Sequence, residues 1–150
     1  MKKHAWSFVL ILIMLASQGA PAQEQAIKAK NLPKAVLSAF EKEYPNAKIL
    51  GCSKEKEHGK IIFEIESIDG KIHRDLSYDG DGNNLEIEEE MSFEALPAAV
   101  QSAFRKDYPG GKVLRTEKVA QGETVKYEMV VKDGKKKREI IYDGNGGKAK

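Results

Sequence analysis

Residues 32–45 read Leu-Pro-Lys-Ala-Val-Leu-Ser-Ala-Phe-Glu-Lys-Glu-Tyr-Pro, and residues 96–109 read Leu-Pro-Ala-Ala-Val-Gln-Ser-Ala-Phe-Arg-Lys-Asp-Tyr-Pro. The offset of 64 residues holds well beyond this stretch. Asp69-Gly70-Lys71 returns as Asp133-Gly134-Lys135, and Tyr78-Asp79-Gly80 returns as Tyr142-Asp143-Gly144. Aligned without a gap, 32–86 and 96–150 share 22 residues of 55. A fixed period marks a duplicated structural unit. Recurring residues therefore report on the fold, and activity is to be sought where the copies differ.

Each copy opens on a predicted helix. Asn31 is placed to cap the first, with Pro33 in the first turn, where a missing N–H costs little. Val36, Ala39 and Phe40 make an apolar stripe at helical spacing, repeated by Val100, Ala103 and Phe104. Tyr44-Pro45 and Tyr108-Pro109 end the helices, because a residue before proline is pushed out of helical geometry. Strands are predicted over 48–56, 61–68 and 71–78, and again over 112–119, 125–132 and 135–142. Ile61, Phe63 and Ile65 share one face, as do Val125, Tyr127, Met129 and Val131. The opposite face carries Glu64 and Glu66 in copy one and Lys126 and Glu128 in copy two, so an antiparallel strand with a solvated side is expected. Asp69-Gly70 and Asp133-Gly134 are hairpin turns.

A fourth strand, 85–90, appears only in the first copy, and its counterpart would begin at Ala149. The expected fold is α+β: two tandem units, each one helix packed on a three- to four-stranded antiparallel meander. About 60 residues make a marginal core alone, so the two sheets are expected to be continuous. Residues 23–31 read as a flexible lead-in, 32–91 as the first repeat, and 92–150 as the second with a truncated fourth strand.

The segment 1–22 has the pattern of a signal peptide. Lys2, Lys3 and His4 precede an apolar run from Ala5 to Ala16, and Ala20-Pro21-Ala22 fits a cleavage site after Ala22. A periplasmic or secreted location follows, with no stable membrane anchor after cleavage. Without Lys2 and Lys3 the remaining chain carries 23 basic and 23 acidic residues, so nothing points to nucleic acid. Its charge is nonetheless polarised. Residues 23–91 hold 10 basic and 15 acidic side chains while 92–150 hold 13 and 8, a polarity that permits self-association. Cys52 stands alone, so no internal disulfide forms, and it reads as a half-buried small hydrophobe.

The pattern Leu-Pro-x-Ala-Val-x-x-Ala-Phe-x-Lys-x-Tyr-Pro, then Lys-x-Leu, then Tyr-Asp-x-x-Gly, occurs at 32–82 and at 96–146. It resembles the PepSY-like family, also described as beta-lactamase-inhibitor-like. The resemblance implies an exported protein whose tandem helix-plus-meander units align into a broad sheet. It also implies an inhibitory or regulatory role through binding other proteins, often envelope enzymes. It supplies no catalytic residues.

The remaining candidates are few. Asp79, Asp81 and Asn83 place oxygens as a calcium loop begins, but Asn84 stands where that loop requires glycine. A turn is the leading reading and a weak cation site the lesser. His4, His58 and His73 lack zinc spacing, and no nucleophile or phosphate-loop motif occurs, so neither enzyme nor cofactor is indicated. The unmatched Phe93 is either a staple on the second helix or a partner contact. Arg74 and Arg138 recur in phase at a sheet rim, where they can also serve a partner. Two charge runs break the repeat: Glu88, Glu89 and Glu90 with Glu86 and Glu94, and Lys135, Lys136, Lys137 and Arg138 with Lys132. The functional expectation is a non-enzymatic protein-binding module acting on an envelope protein, possible targets including an enzyme that it inhibits or regulates. A small-ligand or weak calcium-binding protein is the alternative.

Overall fold

A computed structural model describes residues 24–149. The leader expected over 1–22 lies outside the described residues. Eight strands form one antiparallel sheet in sequence order. They are β1 (Gln25–Ala26), β2 (Lys48–Glu57), β3 (Lys60–Asp69), β4 (Ile72–Asp79), β5 (Asn84–Glu90), β6 (Lys112–Gln121), β7 (Thr124–Asp133) and β8 (Lys136–Asp143). Helix α1 (Lys34–Glu43) lies between β1 and β2, and α2 (Ala98–Asp107) between β5 and β6.

Both helices cover the same face of the sheet. Val36 and Phe40 of α1 are buried with Leu32, Ile65, Leu76 and Tyr78. Val100 and Phe104 of α2 are buried with Leu96, Met129, Val131, Ile140 and Tyr142. Register carries the apolar face across the strands, pairing Ile65 with Leu76, Leu76 with Ile87, and Met129 with Ile140. Tyr78 and Tyr142, the paired aromatics, are fully enclosed. Cys52 packs at the edge of the first cluster as expected, and burial pushes its thiol pKa up.

Three expectations need correction. The lead-in is structured: Gln25 and Ala26 pair with Lys54 and Ser53, Ile27 packs on the first cluster, and Ala29–Asn31 make a 3-10 turn. Asn31 closes that turn and does not cap α1; Pro33 and Pro97 hold the N-cap positions with no side-chain bond. The last repeat position begins one residue early, since Lys148 bridges Tyr142 just as Asn84 pairs with Tyr78.

The same 64-residue offset explains the lead-in. Gln25 meets Lys54 where Glu89 meets Lys118, so β1 stands to β2 as the end of β5 stands to β6. Strand β5 thus closes the first meander with one half and opens the second with the other.

Candidate protein-binding face

Among the described residues no second layer of secondary structure covers the face away from the helices, and that face is acidic. Alternation places Ser53 and Glu55 of β2, Glu64 and Glu66 of β3, and Asp75 and Ser77 of β4 on it. Glu86, Glu88 and Glu90 of β5 follow, then Arg115 and Glu117 of β6, Glu128 of β7 and Glu139 of β8. Carboxylates meet directly across strands: Glu66 with Asp75, Asp75 with Glu88, Glu90 with Glu117, and Glu117 with Glu128. Like charges directly opposite destabilise a sheet, so their concentration here works against the fold.

Neighbouring side chains crowd over these groups despite the open face. Glu117 and Glu128 are only 6% and 7% exposed. Burial pushes the Glu88 carboxyl up to about 8, and the charges of Glu117, Glu86 and Glu128 push the same way. Glu64 is raised by burial to about 7 although Ser53 donates a 2.7 Å hydrogen bond to it. Glu128 rises to about 7 through burial, then through Glu139 and Glu117. Glu86 and Glu117 are raised by burial as well. Arg115 pairs with Glu117 at 3.2 Å, and its buried Nε has no hydrogen-bond partner. Towards β8 the face turns partly apolar through Val119, Val130 and Ile141.

The residues singled out from sequence do not converge. Glu88 and Glu90 lie on the acidic face, but Glu89 turns to the helix side and pairs with Arg74 at 2.6 Å. Arg74 also stands 5.0 Å from the Tyr44 ring centroid, a rim position. Phe93 packs on α2, meeting Phe104 edge-on at 5.4 Å with the Arg105 guanidinium 5.3 Å from its ring centroid. It also lines an open cleft of about 520 Å³ with Tyr108 and Leu114. Lys135 sits in the last hairpin turn, Lys136 and Lys137 begin β8, and Arg138 reaches Asp133 at 3.6 Å.

Asp79 is engaged by its own turn. Its Oδ1 accepts from the Asp81 and Asn83 N–H groups and its Oδ2 from the Asn83 amide. These bonds hold its carboxyl below the usual range, the Asn83 side chain contributing most. Asp143 accepts from Asn145 and Gly147 in the same way. Among the described residues no cluster of three or more His, Cys, Asp or Glu is arranged to hold a metal.

Glu64, Glu117 and Glu128 were not legible as a site. Sequence placed Glu64 and Glu128 on a polar face, but only the register between strands gathers them with β5 and β6.

One helix-backed sheet with a bare, charged face defines a scaffold class. The chain belongs to the beta-lactamase-inhibitor-like, PepSY-like family, whose profile matches residues 20–83 and 62–148. Solved structures share the fold. A BLIP-like protein from Bacteroides fragilis is 23% identical with a TM-score of 0.63, covering 79% of this chain and 84% of that one. A DUF2874 family protein from Bacteroides ovatus is 19% identical at 0.64, covering 79% and 85%. A protein described as periplasmic from Bacteroides eggerthii is 18% identical at 0.68, covering 79% and 86%. Curated proteins provide no match.

Proposed function

We propose that this is an exported, non-enzymatic binding module whose helix-free sheet face receives a basic surface of another envelope protein. An enzyme restrained by that occupation is the partner most in keeping with an inhibitor-like family. The carrying observation is the set of buried and half-buried carboxylates that crowd one another on the bare face. Both hydrophobic clusters lie on the other side, so these carboxylates add nothing to the apolar packing. Arginine and lysine from a partner would relieve the repulsion and restore ionisation, giving the face a differential affinity for cationic surfaces.

The test compares the protein with a Glu64→Lys, Glu88→Lys, Glu128→Lys triple variant, each immobilised against envelope extract. A partner held by the parent protein is expected to be absent from the variant. Its retention should also fall at about 1 M salt, where the screening length is roughly 3 Å. Identical captured sets from both proteins would refute the assignment of the face.

A further inference from the structure

A second surface lies along the outer edge of β8, which borders the acidic face at Glu139. The chain contains its own template for what fits there. In the first repeat β5 covers β4, with Ile87 beside Leu76, Glu89 paired to Arg74, and Asn84 opening the register at Tyr78. In the second repeat the same pairing begins, and among the described residues it reaches Ala149. Lys148 bridges Tyr142, and the Ala149 N–H donates to the Ile141 carbonyl at 2.9 Å. Backbone groups alternate sides along a strand. Those of Glu139 and Lys137 therefore aim outward along the edge that Ile141 begins.

The side chains define what continues the register. Ile140 takes the place of Leu76, and among the described residues nothing stands beside it as Ile87 does beside Leu76. Arg138 takes the place of Arg74, but it is 47% exposed on a 3.6 Å contact with Asp133 where Arg74 is 10% exposed on a 2.6 Å pair. Lys136 and Lys137 extend the positive run. Lysine on an edge strand repels most strands, so this edge selects against neutral and basic segments and for acidic ones.

We propose that β8 accepts an extended acidic segment of a partner protein as a ninth, antiparallel strand. That segment would place an apolar residue beside Ile140 and carboxylates beside Arg138 and Lys137. Main-chain bonds supply the affinity and alternate side chains the selectivity, the usual division in strand addition.

A peptide with the sequence of residues 84–91, Asn-Leu-Glu-Ile-Glu-Glu-Glu-Met, is the probe, added to the isotope-labelled full-length protein and followed by amide hydrogen exchange. At about 1 mM peptide the Glu139 and Lys137 amides are expected to exchange about tenfold more slowly. A peptide with its glutamates replaced by lysine, and one with proline in place of the residue corresponding to Glu88, whose N–H faces the covered strand, should give no protection. Arg138→Glu in the protein should abolish the effect and leave the far-ultraviolet circular dichroism spectrum unchanged. Glu139→Pro, which removes an outward N–H, should abolish it too. Equal protection by the lysine or proline peptide would overturn the proposal. So would protection confined to the acidic face, self-association protecting the same amides without peptide, or binding to anionic vesicles with no strand protection.

Discussion

Gly82 and Gly146 have φ of +84° and +82°, and a Cβ on either would stand 2.6 or 2.7 Å from the carbonyl oxygen of Ala35 or Ala99. The turn after β4 or β8 is therefore pressed against the first turn of its helix, which explains why Tyr-Asp-x-x-Gly recurs. Left-handed geometry costs a non-glycine residue about 1–2 kcal/mol, and the collision adds about 1–3 more. Gly82→Ala should thus lower stability by about 2–5 kcal/mol, read from urea unfolding midpoints. His58 offers the opposite case. It sits at φ +47° where the second copy has Gly122 at +58°. His58→Gly relieves strain of about 1–2 kcal/mol but adds about 0.5–1 of unfolded-state entropy, so a gain of about 0.5–1 kcal/mol is expected in the same measurement.

At the level of elements, the helices and three strands of each repeat were legible because their signals are local. Stripes at helical spacing, proline stops, period-two alternation and Asp-Gly turns each need only a short window of sequence. Strand β1 was not legible, since Gln25 and Ala26 carry no strand signal and pair only because β2 presents an edge. The same limit hid the divergence of Arg74 and Arg138, identical in sequence and in phase. Arg74 pairs with Glu89 because β5 lies beside it, whereas Arg138 has no such strand among the described residues. Removing one partner of a largely enclosed pair leaves a poorly solvated charge, so Arg74→Ala should cost about 1–3 kcal/mol, discounted because Glu89 is partly exposed. Arg138→Ala should change stability by less than about 1 kcal/mol, as exposed pairs do. A double-mutant cycle with Glu89→Ala should recover most of the Arg74 effect as coupling; an additive result would assign it to lost packing on Tyr44.

Across the whole molecule the two sheet faces serve opposed ends, and pH separates them. The apolar face was readable from sequence strand by strand, but the acidic one is a product of register across seven strands, which no single strand encodes. Glu64 and Glu128 titrate near 7 and Glu88 near 8 in the folded protein, against about 4.3 for an unfolded glutamate. Between these values the folded state binds more protons than the unfolded one, so stability falls as pH rises. The contribution is fully present below about pH 4 and is lost as pH passes through 7 to 8. Asp79 and Asp107 oppose this at the acid end, because hydrogen bonds from Asn83 and from Lys148 depress them and protonation removes that support. Maximal stability is therefore expected near pH 5, declining towards pH 8.5 in a series of urea midpoints. Glu88→Gln should flatten the alkaline side and raise the midpoint at pH 8 more than at pH 5. A basic partner on the face should do the same without mutation, releasing protons as it binds. Calorimetry in buffers of different ionisation enthalpy would measure that release, and proton uptake on binding would contradict a cationic occupant of this face.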